Sequence, residues 1–175
     1  MVPDAVLATT LTKHEEAELP RLHALRLASE KARAAAASYT DGNAFILAAD
    51  TVVACGRRIL PKAQTPEQVR ACLMLLSGRR HQVLTAIAIV TPGGRLVTKA
   101  AMTRVSFRRL SADEIASYVA GGEGVGKAGG YAIQGRAEIF VKEIGGAHST
   151  VVGLPLGLTV GLLEGLGWPQ GNPHG

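Results

Sequence analysis

"AFILAADTVVA", residues 44–54, decides how the rest of the chain is read. It is a continuous apolar run and not an alternation of apolar and polar residues, so it predicts a strand covered on both faces. Asp50 is the exception within it. A carboxylate buried without a partner is strongly destabilising, so a strand that carries one near its end pairs the charge or presents it to a site. An Asp that caps a turn is the plain alternative.

Working outward, "PRLHALRLASEKARAAAAS" (20–38) predicts a helix. Pro20 suits the first turn, alanine is abundant, and Leu22, Leu25, Leu27 and Ala28 form an apolar stripe. "TDGN" (40–43) is a turn, and "CGRRIL" (55–60) reads as the return arm of a hairpin. "TPEQVRACLMLLSG" (65–78) predicts a second helix, with Thr65 as N-cap, Pro66 at the first helical position and Gly78 as C-cap. Two strands follow, "HQVLTAIAIV" (81–90) and "LVTKAAMTRVSF" (96–107), joined by the hairpin turn "TPGGR". "SADEIASYVAGG" (111–122) predicts a third helix, with Ser111 and Glu114 spaced as a capping box.

After the glycine-rich "GEGVGKAGGYAIQGRA", the pattern predicts a short strand at "EIFVKEI" (138–144), a loop at "GGAHSTVVGLP" and a last helix over about 155–166. The tail from 168 to 175 is expected to fray. Strands and helices interleave without a repeat or a linker, which predicts one α/β domain over 1–175. The two hairpins argue for a mixed sheet over a purely parallel one.

Composition narrows the function. A net charge of +5 favours anionic partners, but no long basic run is present. Aromatic residues are 4% of the chain, too few for a base-stacking platform, so nucleic-acid binding is not indicated. No apolar run is long enough to cross a bilayer and no signal-peptide pattern opens the chain, which predicts a cytoplasmic protein with no membrane partner. Cys55 and Cys72 are too few and too far apart for a disulfide scaffold or a CxxC site. The five histidines lack the spacing of a zinc site.

Several residues are candidates for chemistry. Lys31 and Lys62 suit phosphate oxygens, or are solvated surface lysines. "LLSGRRHQVLT" (75–85) places Ser77, Arg79 and His81 at a helix-to-strand joint. There only side chains would hold an anion, because a helix C-terminus repels one. "GKAGGYAIQG" (126–135) has four glycines and one lysine, as a backbone that approaches a ligand closely would need. It is not a Walker A loop, since Ala128 follows Lys127.

In this order and at these separations, "LAADTVV", "LLSGRRHQVLT", "KAGGYAIQG" and "VVGLPL" resemble the Maf proteins, over nearly the whole span from Arg21 to Gly167. The resemblance implies an elongated, twisted mixed sheet with flanking helices and a nucleotide cleft between two lobes. It implies hydrolysis of a nucleoside triphosphate between the α- and β-phosphates, with a divalent metal, Mg²⁺ or Mn²⁺, and a homodimer as a common state.

The family's "DTVV" aspartate is its proton acceptor and corresponds to Asp50, which would also meet the metal. Lys31 matches the lysine of "EKA", and Lys62 that of "KP", with Ala63 in place of the proline. Thr51 and Gln134 correspond to specificity positions of the dTTP/UTP branch, and the "HxVxT" form at His81–Thr85 is similar to that branch.

The chain departs from the family at its start. It opens at "MVPDAVLATTLTK" without a match to the family's "LASxSPRR" loop, whose serine and arginines grip phosphates. The acidic "DxDE" segment reads "TLTK" here, and Ser149-Thr150 stands where Ser-Asn is usual. Two readings follow: a sequence that starts downstream of the true N-terminus, or a divergent nucleotide-binding copy with weak or no catalysis.

Overall fold

The computed structural model describes residues 19–39 and 42–168. The "TLTK" segment, Thr40, Asp41 and the tail beyond Trp168 lie outside the described residues. The elements, in chain order, are α1 (Pro20–Ser38), β1 (Ile46–Cys55), β2 (Arg58–Leu60), α2 (Pro66–Leu76), β3 (Arg80–Val90) and β4 (Leu96–Phe107). They continue with α3 (Ala112–Ala120), a 3₁₀ turn (Arg136–Phe140), β5 (Val141–Gly145), α4 (His148–Val152) and α5 (Leu156–Gly165). The class is α/β. The five strands form one sheet in the order β2-β1-β3-β4-β5, and among the described residues every pairing is antiparallel.

Helix α1 covers one face of the sheet. Ala24, Ala28 and Ala32 recur every fourth residue, so they share one side of the helix, and all three are fully buried. They pack on Val52, Ala86, Ala88 and Val90 of β1 and β3. Of the expected stripe, Ala28 is in this contact and Leu25 packs against it, whereas Leu22 is exposed and the alanines make most of the interface. Alanine against alanine lets the helix lie close to the sheet.

The other face carries the larger core. Val69, Cys72, Leu73 and Leu76 of α2, with Ile115 and Tyr118 of α3, pack on Val53, Val83, Val105 and Phe107 of the sheet. Desolvation in this core pushes the Cys72 thiol up to about 12, so it is an inert core side chain. His81 is buried among aromatic rings, edge-on to Phe107 and Tyr131 at centroid distances of 5.0 and 5.5 Å. Its Nε2 shares a 2.8 Å hydrogen bond with the Tyr131 hydroxyl, while its Nδ1 is buried without a partner. His81 is therefore core, and not an anion ligand at a helix joint.

The caps follow the sequence closely. The Thr65 hydroxyl accepts the Gln68 N–H, and Ser111 and Glu114 form a complete capping box. Arg108 grips Glu114 with two guanidinium nitrogens, and these hydrogen bonds hold the Glu114 carboxyl down at about 2.

Four local expectations are corrected. Ser77, not Gly78, is the C-cap of α2; Gly78 follows it with φ +68°, where a left-handed backbone leaves the helix. Residues 136–140 form a 3₁₀ turn before β5, and the strand begins only at Val141. The expected loop around 148–152 is the short helix α4, closed by the Gly153 and Leu154 N–H groups on the Ser149 carbonyl. Finally, β1 is buried on both faces only over Val52–Ala54, and Leu47 near its start is exposed.

Candidate functional site

β1 is paired unequally on its two edges. It runs against β3 from Ile46 to Ala54, whereas on its other side β2 pairs only with Val53–Cys55. Among the described residues, the stretch 46–52 therefore has an open edge. Successive side chains of a strand point to opposite faces, so Asp50 is on the side of α1 and Thr51 on the other. A cavity on the open edge can reach both.

Such a cavity is present. It has a volume of about 200 Å³, and its walls include Lys31, Asp50, Thr51, Lys62, Lys127 and Gln134. A neighbouring cavity of about 360 Å³ shares Lys31, Asp50, Thr51 and Lys62 and extends toward α1. The five residues that the family resemblance marks as site residues, Lys31, Asp50, Thr51, Lys62 and Gln134, thus line one cleft. Ser77 and Arg79 do not line it; the Ser77 hydroxyl accepts the Leu110 N–H instead.

Asp50 is 6% exposed, and its partner is Lys31, whose Nζ donates to Oδ1. The close alanine contact of α1 with the sheet brings Lys31 to the strand. The pair offsets the desolvation cost of the carboxylate, and the lysine side chain remains about half exposed, 48%, at the cleft.

Thr51 is opposite Thr85 in the β1–β3 ladder, and their hydroxyl oxygens are 2.8 Å apart. The Thr85 hydroxyl donates to the carbonyl of Thr150 in α4 at 2.7 Å. In "HxVxT", the i, i+2, i+4 spacing turns His81, Val83 and Thr85 to one face, where they support Tyr131, the cavity wall and Thr51 respectively.

Lys62 and Lys127 are brought together by backbone pairing. The Ala63 N–H donates to the Lys127 carbonyl (3.1 Å), the Gly126 N–H to the Ala63 carbonyl (2.6 Å) and the Gly129 N–H to the Pro61 carbonyl (3.2 Å). Gly129 has φ +68°, and a Cβ there would stand 2.9 Å from Val53, so the segment lies directly on β1. Lys127 is the cleft residue that sequence reasoning missed, although its glycine-rich setting was a signal of close approach.

Gln134 is exposed in a turn closed by the Gly135 N–H on the Ala132 carbonyl (3.1 Å). The Ala132 N–H in turn donates to the buried Tyr118 hydroxyl (3.1 Å).

Three lysines and one carboxylate leave the cleft cationic. Among the described residues, neither Lys62 nor Lys127 has a carboxylate within ion-pair distance. No cluster of three or more His, Cys, Asp or Glu side chains forms a metal cage among them. Asp50 does fit a Mg²⁺-type ion that is held by one carboxylate together with substrate phosphates.

A cationic cleft with one buried carboxylate and one amide at its rim, on the edge of an α/β sheet, suits a polyanion that carries a hydrogen-bonding ring. These are the features of a nucleotide-handling protein. The chain belongs to the Maf family: the family model described as Maf-like protein matches residues 2–166.

The chain is 54% identical over 173 residues to a dTTP/UTP pyrophosphatase of Rhodospirillum rubrum, covering 98% of this chain and 81% of that protein. It is 56% identical over 168 residues to one of Maricaulis maris, covering 95% of this chain and 79% of the relative. One of Caulobacter vibrioides is 56% identical over 151 residues, 86% of this chain and 77% of the relative.

Proposed function

We propose that this Maf protein is a nucleoside triphosphate pyrophosphatase. It hydrolyses dTTP, UTP or a related nucleoside triphosphate to the monophosphate and pyrophosphate, in the cytoplasm. The observation that carries this reading is the meeting of Lys31, Asp50, Thr51, Lys62 and Gln134, from well-separated parts of the chain, on one cleft. Relatives that share half or more of its residues bear the name dTTP/UTP pyrophosphatase. No helix among the described residues is long and apolar enough to cross a membrane.

In this reading Asp50 takes the proton of a water that attacks the α-phosphorus, and the bond to the β-phosphate oxygen breaks. Lys31 holds the carboxylate in place through its ion pair. Lys31 and Lys62 also neutralise charge that grows on the departing pyrophosphate, where charge stabilisation matters most for such a reaction. Thr51 and Gln134 meet the base, Gln134 through an amide that both donates and accepts. A Mg²⁺ or Mn²⁺ ion at Asp50 would supply Lewis-acid polarisation of the phosphates.

The test is pyrophosphate release from dTTP and UTP with Mg²⁺ or Mn²⁺, by the wild type and Asp50→Asn. We expect turnover by the wild type and a loss of about 10²-fold or more in the variant. Equal turnover by the two proteins removes Asp50 from its role. Nucleotide binding without turnover by the wild type identifies a non-catalytic nucleotide-binding protein.

A further inference from the structure

The hydrogen bonds around Thr51 have a direction. A carbonyl oxygen cannot donate, so the 2.7 Å contact between Thr85 and Thr150 uses the single Thr85 hydroxyl proton. The 2.8 Å contact between Thr51 and Thr85 must then be made by the Thr51 proton. With its proton committed, the Thr51 oxygen offers only lone pairs to anything else that reaches it.

The opposite direction would be costly. Thr85 is 0% and Thr150 1% exposed, so turning the Thr85 proton toward Thr51 would orphan a buried carbonyl. That carbonyl lies near the end of a five-residue helix, where the next two N–H groups, of Gly153 and Leu154, both go to Ser149.

We propose that Thr85 fixes the polarity of Thr51, so that Thr51 meets the nucleobase only as an acceptor and selects pyrimidines that carry a proton on N3. Uracil and thymine have that N3–H; cytosine presents a bare nitrogen in the same place. Gln134 is not suited to make the distinction alone, because a side-chain amide can rotate by half a turn and exchange donor for acceptor. A hydroxyl of fixed direction does not adapt. Thr85 is thus a positioning residue that acts through Thr51. The inference rests on the reading that Thr51 contacts the base, which the Thr51→Val arm tests separately.

The experiment compares UMP with CMP affinity by calorimetry, and UTP with CTP kcat/KM, in the wild type, Thr51→Val, Thr85→Val and Thr85→Ser. Preference for uracil in the wild type is expected to fall about ten-fold in Thr85→Val, where the Thr51 proton is freed. Thr85→Ser keeps the hydroxyl and should keep the preference, whatever packing the lost methyl disturbs.

If Thr51→Val lowers the preference while Thr85→Val leaves it intact, base contact stands and the polarity inference falls. Loss in Thr85→Ser as large as in Thr85→Val also overturns it. A preference unchanged in Thr51→Val removes the base contact itself and the inference with it. A wild type that favours cytosine overturns it as well, since an acceptor facing the 4-amino group would select that base. Retained uracil preference in nucleotide binding, lost in Thr85→Val and restored in Thr85→Ser, supports it even if no triphosphate is hydrolysed.

Discussion

Tyr118 and Glu123, at the end of α3, share a 3.1 Å hydrogen bond from the phenol to Oε1, and between them they hold both ends of the turn that carries Gln134. The Tyr118 oxygen accepts the Ala132 N–H, and Glu123 Oε2 accepts the Arg136 N–H at 3.1 Å. Gly135 leaves room for this carboxylate, since a Cβ there would stand 2.2 Å from Glu123 Oε1. Burial raises the Tyr118 hydroxyl to about 12, so it remains a donor throughout the physiological range.

Glu123→Ala should therefore loosen the Gln134 turn more than it weakens the fold. The expected result is faster amide exchange at Ala132 and Arg136 and a several-fold rise in KM for dTTP, with a stability loss of about 1–2 kcal/mol. Glu123→Gln should recover part of both, because its carbonyl can accept from Arg136 while its amino group donates to Tyr118. Unchanged exchange at both amides in the alanine variant refutes the tether.

Lys31→Met separates the structural from the chemical part of the ion pair. It leaves the buried Asp50 charge without its partner, and the half-exposed position of the lysine moderates the penalty to about 2 kcal/mol. Adding Asp50→Asn should restore much of the stability and none of the activity. Denaturant midpoints and pyrophosphate release measure the two, and a double variant no more stable than Lys31→Met contradicts the pairing.

Burial lowers the His81 imidazole from 6.5 to about 4. The unfolded chain then binds the proton first as the medium is acidified. Stability that comes from His81 is complete above pH 6.5, declines between pH 6.5 and 4, and is lost below, by about 3 kcal/mol in total. Denaturant midpoints measured across that window should fall in the wild type and fall less in His81→Gln. Parallel profiles for the two proteins exclude this origin.

Gly129→Ala combines two penalties, a left-handed backbone at φ +68° and a Cβ pressed to 2.9 Å from the Val53 side chain. A loss of about 2–4 kcal/mol is expected, with weaker nucleotide binding as the Lys127 segment lifts from β1. Thermal unfolding and calorimetric titration check it; a stability within about 0.5 kcal/mol of wild type disproves the close approach.

Much of this site is legible in the sequence because its signals are local. Thr65, Ser111 and Glu114 announce helix starts by their spacing, and Asp50 is conspicuous because nothing else in its strand is charged. Other features depend on contacts between distant segments. The open edge of β1 is visible only once β2 is known to stop at Leu60, and that edge is what joins Asp50 and Thr51 in one cleft. Lys127 enters because its carbonyl accepts the Ala63 N–H while the Gly129 N–H bonds Pro61, pairings that no spacing rule encodes. The α1 stripe is legible only in part: Ala28 and Leu25 reach the interface, but Leu22 does not. Ala24 and Ala32 go unmarked because alanine ranks low in hydrophobicity, although close packing against Ala86 and Ala88 favours it.

The nine consecutive pairs between β1 and β3 have a consequence for the division of labour in the cleft. Asp50 and Thr51 are neighbours in the chain yet stand at different places in the cleft, one beside Lys31 and one against Thr85, only because the pleat sends them to opposite sides. A slip of a single step along the ladder would exchange those posts, part Lys31 from its carboxylate and leave Thr85 facing a different neighbour. The long ladder thus serves as a reading frame for the chemistry as well as a scaffold.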